Sequence, residues 1–418
     1  MAETAVEHPI LPARLPIRQV LVAIAGIYTA QSVVGGLTFQ GVPSILRANG
    51  VALDMVGLVS VAMLPWALKF LWASRVERYR LSPDGRRRSR RIVIAGEGVA
   101  ALALLALSTL GPAANAPLFL CLGLVALASA TVDIACDAFA IEQLSSRDRG
   151  WGNTVQVGGG YFGMVFGSGL FLVIAASAGW SVAVGTMAGL IVLLTLPFAF
   201  VGEPPRPANA DLGHRPSLGF ALRRPEIRTG LLLTGLFEIG VRLVQGMTGP
   251  FLIDAGIDLA LLGLLNGLGG TAAGVIGTVA GGLLVRSFGS RRAVMIAAGL
   301  QALAIAALTV AALLGAKQPA ALAGLVIAMT MAMAIGFVAL YSLLMGLASL
   351  KQAGVDFTLF QCADAAVAGL CGFGSGVIAQ HLGYGTCFGL ATIEAVAVLA
   401  VIPVILRKLP QNSIGSHT

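Results

Sequence analysis

Three polar residues inside one apolar stretch of the chain are spaced to share one side of a helix. Glu238, Arg242 and Gln245 stand at positions i, i+4 and i+7, and helical geometry brings such positions onto one face. Ionisable side chains within an apolar span are costly and mark a functional site by default. Arg242 is therefore a candidate anchor for an anionic ligand, with Glu238 holding it in place or exchanging a proton. The alternative is a pair of charges that merely neutralise each other.

A second apolar stretch carries two carboxylates, Asp133 and Asp137, again four residues apart. Two like charges on one face repel each other in a medium of low dielectric, so the pair is expected to hold a proton. Asp133 lies farther than Asp137 from the end of this stretch that approaches an arginine-rich loop. We therefore predict that Asp133, together with Glu238, is a proton-coupling site. Asp137 is predicted to form an ion-pair latch with those arginines.

The composition places these stretches in a membrane. Only 11% of the 418 residues are charged and 57% are hydrophobic, whereas a soluble domain carries roughly 25% charged residues. The positive residues lie between the apolar stretches, which argues against nucleic acid as a partner. The five cysteines stand inside apolar stretches, with neither a CxxC pair nor a histidine cluster beside them. Neither a disulfide framework nor a metal site is predicted from that pattern.

The sequence contains no recognisable catalytic or cofactor-binding motif. Nothing resembles GxxxxGK[ST], so ATP hydrolysis within the chain is not expected. A membrane-embedded enzyme is the alternative from a different functional class, and it would need catalytic His, Ser and Asp residues at one shared depth. The sequence offers no such set. We therefore predict no catalytic residues and no bound cofactor.

Apolar runs between helix breakers predict an all-α polytopic membrane protein with twelve transmembrane helices, since one span takes about 20 residues. The predicted helices cover residues 19–46, 54–74, 92–110, 117–144, 150–178, 181–201, 229–253, 259–285, 293–314, 319–347, 355–382 and 385–406. The motif FGSG occurs in the fifth predicted helix and again in the eleventh, as expected of internal repeats. The sequence thus predicts two pseudo-symmetric six-helix bundles, residues 1–202 and 229–418, joined by a linker over residues 203–228.

The distribution of positive charge predicts the orientation. Of the 27 Lys and Arg residues, all but four fall in the termini, in the linker or in the loops on the linker's side. Arg47 and Lys317 lie on the other side, and Lys69 and Arg242 lie within predicted helices. Because positive residues accumulate in cytoplasmic loops, both termini and the linker are expected in the cytoplasm.

Two loops resemble the paired cytoplasmic signatures of the major facilitator superfamily. The loop after helix two reads LKFLWASRVERYRLSPDGRRRSRR, and its counterpart after helix eight reads GGLLVRSFGSRR. In the second copy Arg286 replaces the acid, so the first copy is expected to dominate. The resemblance implies a cytoplasmic latch built from Glu77, Arg78, Arg86, Asp137, Gly289 and Arg291.

In that superfamily the first, fourth, seventh and tenth helices, and to a degree the fifth, eighth and eleventh, line a central path. The resemblance therefore implies that polar and aromatic residues on these helices bind the substrate. Interhelical hydrogen bonds and simple packing are the alternative roles. The candidate substrate-binding residues are Tyr28, Gln31, Gln156, Tyr161, Glu238, Arg242, Gln245, Tyr341 and Gln361.

A narrower resemblance rests on residues 42–73, VPSILRANGVALDMVGLVSVAMLPWALKFLWA, and residues 130–144, ATVDIACDAFAIEQL. These are similar to the branch that holds the muropeptide permeases, the acetyl-CoA transporters and the siderophore permeases of the rhizobactin and pyochelin type. Muropeptide permeases commonly run longer, whereas this chain stops a dozen residues after the twelfth predicted helix. Length therefore favours the siderophore group.

This resemblance implies a monomeric secondary transporter in a bacterial inner membrane that imports a ferric siderophore-like chelate, driven by the proton gradient. A muropeptide or acyl-CoA permease is the alternative within the branch. The sugar or nucleotide of such a ligand is expected to require more charged and hydrogen-bonding residues in the cavity than this sequence offers.

Overall fold

The computed structural model describes residues 14–49, 59, 64–82, 84–112, 116–205, 214–257 and 265–409. In the first half of the chain, six helices run back and forth between two ends of the molecule. Two of them, α1 and α5, each contain a π-helical turn. The helices are α1 (Ile17–Gly36, the π turn Leu37–Gly41, and Val42–Ala48), α2 (Leu64–Leu68 and Phe70–Arg80), α3 (Ser89–Leu110), α4 (Ala116–Gln143), α5 (Arg149–Met164, the π turn Val165–Leu170, and Phe171–Ala178) and α6 (Trp180–Ala199).

The second half repeats this arrangement after a short linker helix, Leu218–Arg223. Two long hydrogen-bonded segments are each bent at a glycine whose φ is positive, 75° at Gly289 and 82° at Gly383. Side chains other than glycine rarely adopt that conformation, so each bend divides its segment into two helices. The helices are α7 (Pro225–Asp254), α8 and α9 (the parts of Gly270–Leu313 before and after Gly289), α10 (Pro319–Leu347), and α11 and α12 (the parts of Ala353–Arg407 before and after Gly383).

The number of membrane spans follows from these bends. Eight helical segments are long and apolar enough to cross a membrane. Two of them contain Gly289 and Gly383 and therefore supply two spans each. The remaining two spans are α7 and α2, and α2 is described only from residue 64, apart from residue 59. The predicted all-α fold with twelve transmembrane helices is confirmed.

Some predicted boundaries were wrong. Helix α2 continues to Arg80 instead of ending at residue 74. Helix α7 begins at Pro225, four residues before the predicted start, because proline is well suited to the first turn of a helix. The linker contains a helix of its own, Leu218–Arg223. The predicted start of the second helix at residue 54, that of the eighth at residue 259, and residues 206–213 of the linker lie outside the described residues.

Among the described residues, the two bundles share an apolar core at one end of the protein. At the end that carries the linker, called here the linker side, a single apolar core contains residues from both bundles, such as Phe139 and Phe357. Toward the opposite end, each bundle has its own core, one around Leu104 and Phe171 and one around Phe388. The described part of the protein is therefore closed at the linker side, with its bundles separated at the other.

Gly167 marks a close approach of α1 and α5. A Cβ atom on this glycine would lie 2.1 Å from the carbonyl oxygen of Val33 and 2.9 Å from the amide nitrogen of Leu37, and neither backbone atom can rotate away. We expect Gly167→Ala to lower the free energy of unfolding by about 1–3 kcal/mol, measured as a lower thermal unfolding midpoint of the purified protein. Gly169→Ala is the matched control, since a Cβ there meets no atom within 4 Å. Equal midpoints for the two variants would contradict this packing.

Candidate functional site

A cavity of about 500 Å³ lies between the two bundles, within the size range of small-molecule sites. Helices α1 and α5 form one wall, and α10 and α11 form the other. Six of its ten lining residues carry a polar group, and three are aromatic. The lining residues are Ser32, Gln156, Val157, Gly160, Tyr161, Met164, Phe337, Tyr341, Gln361 and Asp364.

The cavity continues away from the linker side. A second cavity of about 760 Å³ shares Tyr161 and Met164 with the first and also reaches Gln245 and Gln40. Gln156 and Gly160 of α5 stand one helical turn apart and face the same space as Met164 because of the helical period. Together the two cavities form a path from the centre of the protein toward the end where the bundles are separated.

Beside the wall from the C-terminal bundle, an arginine of α7 lies between two carboxylates. Nη2 of Arg242 lies 2.7 Å from Oδ1 of Asp364 in α11, and Nε lies 3.2 Å from Oε2 of Glu238. Nη1 donates a hydrogen bond to Oε1 of Gln245 (3.1 Å), and the guanidinium lies 4.9 Å from the centre of the Phe337 ring. Tyr341 donates to Oδ2 of Asp364 (2.8 Å). With two acids and one base, this cluster can orient and partly neutralise a charged ligand.

The predicted grouping on α7 is thus present, with additional members. Glu238 is almost fully buried behind Arg242, so it contacts the cavity only through that side chain. Gln245 lines the larger cavity. Asp364 and Phe337 were not among the predicted site residues, although Asp364 stands in an apolar helix and could have been suspected on that ground.

The N-terminal bundle contains a second arrangement of one cation and two carboxylates. Lys69 of α2, buried in the protein, forms an ion pair with Asp133 of α4 and donates a hydrogen bond to Gln361 of α11. Gln31, in the amide orientation that satisfies its neighbours, donates to Oδ1 of Asp133 at 2.9 Å. Lys69 therefore links the two bundles, since Asp133 belongs to one and Gln361 to the other.

Asp137 stands one helical turn after Asp133 in α4. It forms no ion pair with the arginines of the loop after α2. Its Oδ1 accepts a hydrogen bond from the Tyr28 hydroxyl (2.7 Å) and a longer one from Nε2 of Gln156 (3.4 Å). Its Oδ2 is buried and makes no hydrogen bond in the described part of the chain. Tyr28 and Gln31 are thus partners of the two aspartates, whereas Gln156, Tyr161, Tyr341 and Gln361 line the central cavity directly.

The buried charge network on the linker side is built from other residues. Arg80, whose side chain is fully buried, contacts both Glu77 (2.8 Å) and Glu142 (2.7 Å). Arg87 adds a second contact to Glu142 at 3.0 Å. Glu77 also accepts a hydrogen bond from the backbone amide of Gly354 in α11 (3.3 Å). This network joins α2, α3 and α4 of one bundle to the first turn of α11 in the other.

Of the predicted latch residues, Glu77 belongs to this network, and its role as a latch stays a prediction. Asp137 is replaced by Glu142, which stands five residues, or about 7.5 Å of helix, closer to the linker side. Arg78 donates to the carbonyl of Pro216 in the linker (2.9 Å), and the backbone amide of Arg86 donates to Asp84 (3.1 Å).

In the C-terminal bundle, the latch prediction named Gly289 and Arg291. Gly289 forms the bend between α8 and α9, and Arg291 donates to the carbonyl of Leu409 (2.9 Å). Both residues thus lie at the linker side. Neither is shown by these contacts to hold the two bundles together, so their role in a latch stays a prediction.

Direct contacts between α5 and the C-terminal bundle also hold the linker side closed. Nδ2 of Asn153 lies 3.2 Å from the Ser342 hydroxyl of α10. The hydroxyl of Thr154 donates to the carbonyl of Thr278 in α8 at 2.9 Å. An opening at the linker side must break these contacts, the Glu77 contact with Gly354 and the Lys69 contact with Gln361.

Metal chemistry has no evident site in the described residues. No group of three or more His, Cys, Asp or Glu side chains there is arranged to hold an ion. The polar groups of the cavity are amides, phenols, one serine hydroxyl and one carboxylate. These groups can hydrogen-bond a ligand.

Two bundles of six helices thus surround a central polar cavity that is closed at one end. The family model described as Major Facilitator Superfamily matches residues 21–370, and the chain belongs to that family.

Proteins of similar sequence indicate which branch of the superfamily this chain resembles. The Anhydromuropeptide permease of Escherichia coli K12 is 28% identical over 272 residues, which cover 63% of this chain and 55% of the permease. A Rickettsia conorii protein that carries the transporter name AmpG 4 is 24% identical over 405 residues, 92% of this chain and 96% of that protein. The chain thus spans about half the length of the Escherichia coli permease.

Among solved structures, a bacterial homologue of the iron transporter ferroportin in its outward-facing state has a TM-score of 0.72. Its sequence is 14% identical, and the match covers 94% of this chain and 100% of that one. At this identity the similarity concerns the fold alone. The resemblance to the muropeptide permease branch is therefore supported by sequence, and the siderophore group within that branch is not.

Proposed function

We propose that this protein imports an anhydromuropeptide-like compound, a sugar that carries a peptide with free carboxylates, by alternating access. The central cavity is the observation that carries the proposal. Its aromatic rings offer faces for a sugar ring, and its amides, hydroxyls and carboxylate offer hydrogen-bond partners for sugar hydroxyls. Arg242 contacts the lining residues Phe337 and Asp364, and its guanidinium can bind a peptide carboxylate through charge-assisted hydrogen bonds.

The cavity contains more hydrogen-bonding groups than the sequence alone suggested. A sugar ligand was expected to need more hydrogen-bonding groups than the chain could supply. The fold instead gathers Ser32, Gln156, Gln361 and Asp364 with two tyrosines around one space. The name of the Escherichia coli relative supports the same substrate class, so the muropeptide alternative is favoured over the ferric siderophore.

Proton coupling is the second part of the proposal. Each bundle has one cation close to two carboxylates. Lys69 pairs with Asp133, with Asp137 one helical turn along α4, and Arg242 pairs with Glu238 and Asp364. With all groups ionised, each cluster carries one excess negative charge in a medium of low dielectric, which favours uptake of a proton. A proton on Asp133 would weaken its bond to Lys69 and thereby loosen the link to Gln361 in the other bundle.

The direct test is uptake into proteoliposomes with an imposed pH gradient. An anhydromuropeptide should accumulate and should also raise the thermal unfolding midpoint of the purified protein. Ferric pyochelin and an acyl-CoA, offered at the same concentration, should do neither. Accumulation of ferric pyochelin with no response to the anhydromuropeptide would replace the proposed substrate, while leaving the transporter class unchanged.

The distribution of positive charge predicts that the linker faces the cytoplasm. Since all but four of the 27 Lys and Arg residues lie at the termini, the linker and the loops of that side, a reporter inserted near Ala208 or fused after Thr418 is expected to show cytoplasmic activity. The cavity would then open toward the periplasm. Periplasmic reporter activity at either position would contradict the predicted orientation.

A further inference from the structure

A basic groove lies on the outer surface of the C-terminal bundle, apart from the substrate cavity. It encloses about 610 Å³ between the start of α9 and the end of α12. Three arginines stand at its rim, and three apolar side chains form its floor. The lining residues are Arg291, Arg292, Met295, Pro403, Leu406 and Arg407.

The groove carries an excess of positive charge. Arg292 and Arg407 form no ion pair in the described part of the chain. Helix α9 contains no carboxylate, and the only one in α12, Glu394, stands about 13 residues, or ~20 Å of helix, from Arg407. The chain after Leu409 contains neither Asp nor Glu.

Apolar surface extends from the groove toward the middle of the helices. Met295 and Pro403 form the part of the floor that faces outward. Beyond them, exposed side chains of α9 and α12 continue in the direction of the bilayer core, among them Ile296, Leu303 and Val401. A ligand with a negative head and apolar chains would match both parts of this surface.

We propose that this groove is a binding site for an anionic phospholipid headgroup, with the acyl chains along α9 and α12. Basic pockets between transmembrane helices near the membrane surface suit such headgroups. Because the arginines come from two different helices, a lipid with two phosphates can contact both walls at once. Cardiolipin is therefore expected to bind more tightly than phosphatidylglycerol, and phosphatidylethanolamine least. The proposal does not depend on which substrate the transporter carries.

The test compares two double variants of the full-length protein by native mass spectrometry with added lipid. Arg292→Gln with Arg407→Gln removes two charges from the groove. Arg90→Gln with Arg91→Gln is the matched control, because it removes two exposed charges from the start of α3 on the same side. At roughly one kilocalorie per mole for each basic residue near the surface, the groove variant should bind cardiolipin about 30-fold more weakly. The control should bind as the unaltered protein does.

Each other outcome would overturn the proposal. Unchanged cardiolipin affinity in the groove variant would mean that these arginines hold no lipid. An equal loss in both double variants would mean that cardiolipin responds only to the general charge of this side. Displacement of cardiolipin by millimolar inorganic phosphate would identify a site for free phosphate instead. The thermal unfolding midpoint of each variant without lipid verifies that folding is intact.

Discussion

Replacing Arg242 by glutamine is expected to abolish both stable folding of the central site and tight substrate binding. The guanidinium lies between Glu238 and Asp364 at 3.2 and 2.7 Å, and Glu238 is almost fully buried. Removing the cation leaves two carboxylates uncompensated, which costs about 3–5 kcal/mol. The expected result is a lower thermal unfolding midpoint together with a loss of anhydromuropeptide binding.

A charge-balanced variant separates the two effects. Glu238→Gln with Arg242→Gln removes one acid and one base, so the cluster keeps its single excess negative charge on Asp364. If Arg242 anchors a substrate carboxylate, this double variant should regain most of the unfolding midpoint and still bind the substrate about 10- to 100-fold more weakly than the unaltered protein.

The conservative change Arg242→Lys should also weaken binding. Lysine keeps the charge but lacks the planar fork that contacts Asp364 and Gln245 together. Full substrate affinity in the charge-balanced double variant would show that Arg242 serves only to neutralise its neighbours, and the anchor would have to be sought elsewhere in the cavity.

The α7 cluster shows what the sequence could predict. The spacing of Glu238, Arg242 and Gln245 defines contacts within one helix, and the observed distances agree with it because the helical period is nearly the same in every protein. The contact with Asp364 joins residues 122 positions apart in the chain. It depends on how α7 packs against α11, which no local pattern specifies.

Helix α4 shows why the latch prediction failed. The spacing of Asp133 and Asp137 places them on one face, but it does not determine which way that face turns. Packing rotates α4 so that Asp137 meets Tyr28 and Asp133 meets Lys69. Glu142, one and a half turns further along, is the residue that reaches Arg80. Lys69 was visible as a lone cation in an apolar helix, and that isolation was the available sign of a partner inside the membrane.

Neutralising Asp133 of α4 is expected to abolish proton-driven accumulation of the substrate. Asp133→Asn imitates a permanently protonated side chain, so it should release Lys69 and weaken the link to Gln361. Substrate exchange down its gradient should continue, because exchange needs no net proton movement. Accumulation driven by a pH gradient, about tenfold per pH unit for one proton, should disappear. Counterflow and gradient-driven uptake, measured in the same proteoliposomes, distinguish these two activities.

Asp137→Asn is the matched control, because it removes the same charge one helical turn away and leaves the contacts of Lys69 with Asp133 and Gln361 in place. It should disturb the bonds to Tyr28 and Gln156 without opening the linker side. Distance measurements by spin labels on α4 and α10 at that side should therefore show a shift toward the open state in Asp133→Asn only. If Asp133→Asn still accumulates substrate with unchanged pH dependence, the proton is carried elsewhere. Glu238 then becomes the next carboxylate to replace, since it is buried beside Arg242 in the other bundle.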